Sequence, residues 1–194
     1  KRGEWAPILA NNVHFKTIGV VGLGRIGRAV ARRAAAFRMN VLGYDPFVEA
    51  ASLTEAEVRG VSLDELYAES DFVSLHLPAT AETTNMVDAR VLAAMKPSAF
   101  LINTARGALV DEAALVAALQ SGEITGAGLD VFTTEPAIDS PLIGMANVVA
   151  SPHLAGNTKE TMEITGEMAV DNALAVIAGD WPDEVVVNGV YSGK

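Results

Sequence analysis

Apolar residues in this chain alternate between short continuous runs and longer stretches with helical spacing. The run Thr17-Ile18-Gly19-Val20-Val21 has no polar face, which predicts a strand buried on both sides. Residues 25–37 then carry Ile26, Val30, Ala34 and Phe37 at close to helical spacing, and 40–44 form a second apolar run. Further on, Ser62 with Glu65 three residues later has the capping-box pattern that opens a helix running to about residue 69. Strands are predicted at 72–77, 99–103, 126–131 and 147–150. Helices are predicted at 88–95 and at 111–120, the latter stopped near Ser121-Gly122. A long final helix over 158–178 places Met162, Gly166, Ala169, Ala173 and Ile177 on one stripe. Strands and helices in this order predict an α/β fold built on a doubly wound parallel sheet, with helices on both faces.

The first strand leads directly into Gly22-Leu23-Gly24-Arg25-Ile26-Gly27, and this placement gives an otherwise weak glycine pattern its meaning. Gly22 permits a tight strand-to-helix turn, Gly24 allows a pyrophosphate to approach the backbone, and Gly27 allows the helix to pack close to the strand. The helix N-terminus adds unpaired N–H groups for the phosphates. Asp45 ends the second strand eighteen residues after Gly27, close to the separation at which a carboxylate meets the adenosine ribose. The sheet is therefore expected to be of the Rossmann type. Because a carboxylate accepts hydrogen bonds from a free 2′-hydroxyl and repels a 2′-phosphate, NAD is expected over NADP. The segment 44–47 has no Arg or Lys to hold the extra phosphate, although Arg25 and Arg28 are near in sequence.

In such sheets ligands bind beyond the carboxyl ends of the strands, and the chemically expressive residues of this chain gather there. Asn103-Thr104-Ala105-Arg106-Gly107 follows one strand, residues 130–136 with Asp130 and Glu135 follow another, and Ser151-Pro152-His153 follows the last. An arginine, a carboxylate and a histidine are thus expected at one edge.

Composition narrows the function classes. Half of the 194 residues are hydrophobic, yet no apolar run reaches the length needed to cross a bilayer. A formal charge of −10 argues against a nucleic-acid or anionic-membrane partner. The chain has no cysteine, which excludes disulfides, a thiolate nucleophile and Cys-ligated zinc, and no metal site is expected. The protein reads as cytoplasmic. His14 is read as a residue without a partner, His76 as a strand-end residue near the adenosine, the methionines as core, and Trp5 and Trp181 as edge packing.

The segments VVGLGRIG, YDP, HLPATAETTNM, INTARGALVDE, LDVFTTEP and SPHLAGNT, in this order, resemble the cofactor domain of the D-isomer-specific 2-hydroxyacid dehydrogenases. Within that family they are most similar to the D-3-phosphoglycerate dehydrogenase branch. The resemblance implies Arg106, Glu135 and His153 as catalytic residues. It also implies Arg25 and Ile26 at the pyrophosphate, Leu77 and Pro78 flanking the adenosine, Thr83 among the cofactor-binding residues, and Thr104, Ala105, Arg106, Asp130, His153, Ala155 and Gly156 around the nicotinamide. The implied reaction is hydride transfer between NAD(H) and a D-2-hydroxy or 2-oxo acid, with D-3-phosphoglycerate as a candidate substrate. His153 is the expected acid and base, and an adjacent carboxylate favours the charged imidazole. Arg106 offers a planar fork to the substrate carboxylate. Formate dehydrogenases of this fold are expected to carry Gln at the position of Glu135, so the glutamate favours hydroxy-acid chemistry.

The resemblance further implies a homodimer and a substrate domain that this chain lacks. The whole chain is read as one dinucleotide-binding domain, with a core at about 16–157 and a long helix at 158–179. Lys1 is no initiator methionine, and residues 1–5 and 187–189 are read as crossings into the missing domain. On that reading the segment binds NAD(H) but turns over little hydroxy acid. The alternative is an NAD(H)-responsive corepressor-like module that binds a protein partner.

Overall fold

The computed structural model describes residues 11–48 and 58–180, so the expectations for Trp5, Trp181 and the two crossings fall outside the described residues. The chain divides into two compact units, residues 1–152 and residues 153–194. The first unit holds one seven-stranded sheet in the order β3-β2-β1-β4-β5-β6-β7, with every neighbouring pair parallel. Its strands are β1 (Thr17–Val21), β2 (Asn40–Tyr44), β3 (Val58–Gly60), β4 (Phe72–Leu75), β5 (Phe100–Asn103), β6 (Gly126–Leu129) and β7 (Val148–Ala150). The helices between them are α1 (Arg25–Ala36), α2 (Leu63–Glu69), α3 (Ala89–Ala94) and α4 (Glu112–Ser121).

Helices cover both faces because side chains alternate along each strand. Val20 and Val21 are adjacent and fully buried, yet they enter different clusters. Val20 packs with Ile18, Leu23, Val41 and the α1 residues Ala31 and Ala34, whereas Val21 packs with Leu42, Leu75, Leu101 and side chains of α2, α3 and α4.

The helix ends follow from local chemistry. Asp88 caps α3 by accepting from the Val91 N–H, and Asp111 caps α4 by accepting from Ala113 and Ala114. Gly122, with φ of 75°, stops α4 in the left-handed conformation that glycine adopts without penalty. At α2 the Ser62 hydroxyl accepts from the Glu65 N–H as expected, but the Glu65 carboxylate pairs with Arg59, so the capping box is only half formed.

Three expectations are corrected. The buried face of α1 is Gly27, Ala31 and Ala34, while Ile26 and Phe37 are exposed. The helix turns that face inward because it approaches the sheet at Gly27. His14 has a partner, since its ring meets Phe15 edge-on at 3.9 Å. Of the methionines, Met95 is core, but Met162 and Met168 are exposed on the helix of the second unit, α5 (Lys159–Ile177). Strand β3, only three residues long, was not delimited by the apolar pattern.

Candidate active site

The register brings the strand ends into one row. Tyr44 pairs with Val21, Val21 with Leu75, Leu75 with Asn103, Asn103 with Leu129, and Leu129 with Ala150. The next residue of each strand is Asp45, Gly22, His76, Thr104, Asp130 or Ser151, so these six leave the sheet side by side. Neighbouring strands are separated by about 4.8 Å, and a row of this kind is the ligand-binding edge of a doubly wound sheet.

The glycine turn is shaped by contacts with its surroundings. Gly22 has φ of 94°, and a Cβ there would come within 2.7 Å of the His76 carbonyl oxygen. A Cβ on Gly27 would collide with the Gly22 carbonyl oxygen. At Gly24, by contrast, a Cβ would meet nothing within 4 Å. Gly24 is the N-cap of α1, with no side-chain cap and no acid in the first turn, so the helix presents its first N–H groups at its positive end. Arg25 and Ile26 stand exposed beside them.

Asp45 does more than end β2. One carboxylate oxygen, Oδ2, accepts from the Leu23 N–H at 2.7 Å, and the other, Oδ1, accepts from the Phe47 N–H at 2.9 Å. Arg28 Nε donates to the Leu23 carbonyl at 2.7 Å. Neither link across the turn could be read from spacing.

Beyond β4, the His76 Nε2 lies 2.9 Å from the Ser74 hydroxyl, and burial pulls the His76 pKa down, favouring the neutral ring. Leu77 is half-buried and Pro78 exposed. The Thr83 hydroxyl donates to the Pro78 carbonyl at 2.8 Å and accepts from the Thr80 N–H at 2.8 Å, closing the loop on which all three stand.

The loops after β5 and β6 come together through two residues that pattern reading had not singled out. Asn103 is buried, with its amide donating to the Arg106 carbonyl at 2.9 Å and accepting from the Ala105 N–H at 3.0 Å. That pair of bonds folds Thr104, Ala105 and Arg106 into a turn. At Gly107, a Cβ would collide with the backbone of Phe132 and Thr133, so glycine allows the two loops to touch. Thr104 and Arg106 are exposed, and Arg106 Nη1 donates to the Ala105 carbonyl at 2.6 Å. On the adjoining loop Glu135 is exposed, precedes a cis peptide to Pro136, and accepts from the Phe132 N–H at 3.0 Å. Asp130 is buried at the foot of this loop and accepts from the Ser151 hydroxyl at 2.6 Å.

Arg106, Glu135 and Asp130 therefore stand in the first unit on neighbouring loops. His153, Ala155 and Gly156 open the second unit, where His153 has φ of 55°, a left-handed conformation uncommon for a residue with a side chain. Among the described residues no group of three or more His, Cys, Asp or Glu could hold a metal ion, and no helix is long and apolar enough to cross a membrane.

A glycine turn at a helix start, a carboxylate at the end of the next strand and a row of polar groups at the strand ends define a dinucleotide-binding domain of the Rossmann type. The chain belongs to the family of D-isomer specific 2-hydroxyacid dehydrogenase, NAD binding domains, which it matches over residues 1–155. It is 48% identical over 175 residues to D-3-phosphoglycerate dehydrogenase of Mycobacterium tuberculosis (strain ATCC 25618 / H37Rv), covering 90% of this chain and 33% of that one. It is 47% identical over 193 residues to glyoxylate/hydroxypyruvate reductase B of Pectobacterium carotovorum subsp. carotovorum (strain PC1), covering 96% of this chain and 60% of that one. Among solved structures, D-lactate dehydrogenase with NAD+ from Lactobacillus jensenii superposes with a TM-score of 0.83 at 35% identity, over 92% of this chain and 58% of that one. The chain thus spans about a third of the length of the phosphoglycerate dehydrogenases it matches.

Proposed function

We propose that this chain is the cofactor half of an NAD-dependent D-2-hydroxyacid dehydrogenase that interconverts a 2-hydroxy acid and its 2-oxo acid in the cytoplasm, as a homodimer. The observation that carries this reading is the row of strand ends, which sets a nucleotide-type turn at β1 and β2 in line with an arginine loop and a carboxylate loop at β5 and β6. The residues present fit a dinucleotide. Gly22 and Gly27 are required by the protein's own packing, whereas nothing internal requires glycine at Gly24, which suits close approach by a phosphate. Asp45 suits a free ribose 2′-hydroxyl and repels a 2′-phosphate, which favours NAD over NADP.

When bound, NAD supplies the acceptor or donor of the hydride. The chain's own residues then have one proton and one developing negative charge to manage. Arg106 orients the substrate carboxylate through its planar fork and polarises the reacting oxygen. His153 takes the proton from the C2 hydroxyl in oxidation and returns it in reduction. Glu135 is the carboxylate companion of that histidine. The left-handed backbone at His153 supports a functional role, since such conformations cluster at working sites. Leu77 and Pro78 flank the adenosine, and Thr83 serves the cofactor site by bonding to the Pro78 carbonyl. Thr104, Ala105, Asp130, Ala155 and Gly156 surround the nicotinamide.

D-3-phosphoglycerate and the shorter glyoxylate and hydroxypyruvate are the first substrates to test. Stopped-flow and steady-state NADH oxidation with a panel of 2-oxo acids, run on a protein carrying this chain together with a substrate domain, should show turnover that depends on Arg106. A protein that binds NADH tightly yet reduces no 2-oxo acid would sink the reading.

A further inference from the structure

We propose that Arg28 is a positioning residue of the cofactor site: together with Asp45 it grips the Leu23 peptide from opposite ends and so fixes the turn whose amides face the phosphates. The inference rests on the reading that residues 22–27 seat the pyrophosphate. Leu23 lies between two glycines, and a peptide flanked by glycine has little steric preference for one orientation. Its side chain is buried, which anchors the residue but leaves the peptide planes on either side free to tilt. Two charge-assisted bonds remove that freedom, from the Leu23 N–H to Asp45 Oδ2 at 2.7 Å and from Arg28 Nε to the Leu23 carbonyl at 2.7 Å.

The two partners come from different elements, β2 and the first turn of α1, so the clamp ties strand, turn and helix into one unit. It also gives Asp45 two tasks. The carboxylate that meets the ribose is the same one that orients the turn, and its removal costs affinity as well as discrimination between NAD and NADP. Arg28, whose Nε is bonded to the Leu23 carbonyl, is thereby assigned to the turn rather than to a 2′-phosphate.

The geometry suggests a sharp test, because Gln places an amide nitrogen where Arg places Nε, whereas Met and Lys place a carbon there. NADH, ADP and adenosine are titrated calorimetrically, adenosine in competition with NADH, into the wild-type chain and into R28Q, R28M and R28K. R28M and R28K are expected to weaken NADH and ADP about tenfold, the loss of one charged hydrogen bond. Adenosine, which lacks the phosphates, should change less than about twofold in the same variants. R28Q should keep NADH and ADP within about threefold of wild type. Wild-type-like binding by R28M would overturn the proposal. So would equal losses in R28Q and R28M with retention in R28K, which would make the charge itself the contact. An equal loss of adenosine in R28M would show mere destabilisation and would also overturn it. Failure of the wild-type chain to bind NADH or ADP would instead overturn the underlying reading of the glycine turn.

Discussion

The two ends of the strand-end row are held in different ways. At β1 and β2 the polar groups are bonded to the backbone of other elements: Asp45 reaches back to Leu23, and Arg28 reaches out of its helix to the same residue. At β5 and β6 the Arg106 guanidinium donates to the carbonyl of the preceding residue and the Glu135 carboxylate accepts from an N–H three residues before it. Both of these side chains are exposed. The first arrangement completes a binding surface ahead of its ligand, which lowers the ordering cost of association. The second fixes the loops through Asn103 and Gly107 and sets the exposed side chains of Arg106 and Glu135 on them. On the proposed function, recognition is built into the backbone at one end and chemistry is carried by side chains at the other.

Substitutions can break this contrast in order of expected size. Replacing His153 with Ala should lower turnover by about 10²–10⁴-fold while leaving the NADH dissociation constant unchanged. Kinetics and NADH titration on a protein with both domains check this, and an unaltered kcat would remove His153 from the reaction. Next come the glycines that face backbone. Gly27→Ala and Gly107→Ala should each destabilise the fold by at least about 2 kcal/mol, because a new methyl meets main chain that cannot move away. Urea denaturation measures this, and wild-type stability in either variant would show that the loops are not as close as described. Gly24→Ala should behave in the opposite manner, with stability kept within about 1 kcal/mol and NADH affinity reduced by roughly tenfold. If Gly24→Ala unfolds the protein but binds normally, the division between packing glycines and ligand-facing glycine fails.

The smallest effect lies at the opposite edge of the sheet. Asp71 is partly buried, which raises its pKa, but the Thr17 N–H at 2.8 Å and Lys96 at 3.3 Å outweigh burial and hold the carboxyl below its usual value. A depressed carboxyl pKa contributes stability that is present above the unfolded value, about 3.9, and is lost as pH falls through the folded one. Asp71→Asn should therefore cost about 1 kcal/mol at pH 7, and its unfolding curve should converge on that of the wild type as pH falls through the depressed folded value. A gap independent of pH would mean that the charge is not the cause.

Much of this was legible beforehand, for physical reasons that differ by region. The strand at Thr17–Val21 and the turn after it could be read because buried parallel strands lack a polar face and because the turn demands glycine. Asp45 was found by its distance along a repeating unit of nearly constant length. Ser62 was visible as a cap because capping is a short-range interaction. Strand β3 was missed because three residues carry no period. Asn103, Gly107 and Arg28 were missed because each acts on backbone from another turn or another strand, and spacing holds no trace of such a contact. The face of α1 was misplaced for a related reason. Alanine and glycine pack it, and their weak hydrophobic signal yields to the larger Ile26 and Phe37, both exposed.

Five of the six strand ends in the row deliver a polar residue, and two neighbouring pairs of ends are tied together, by the Leu23–Asp45 and Ser151–Asp130 bonds. A change in one loop therefore bears on the station beside it, while the parallel register that spaces the stations is set by the strands themselves. On the proposed function, such a sheet can retain its grip on the nucleotide while the stations at β5 and β6 drift together toward another acid, so divergence among relatives should be concentrated in loops rather than spread through the scaffold.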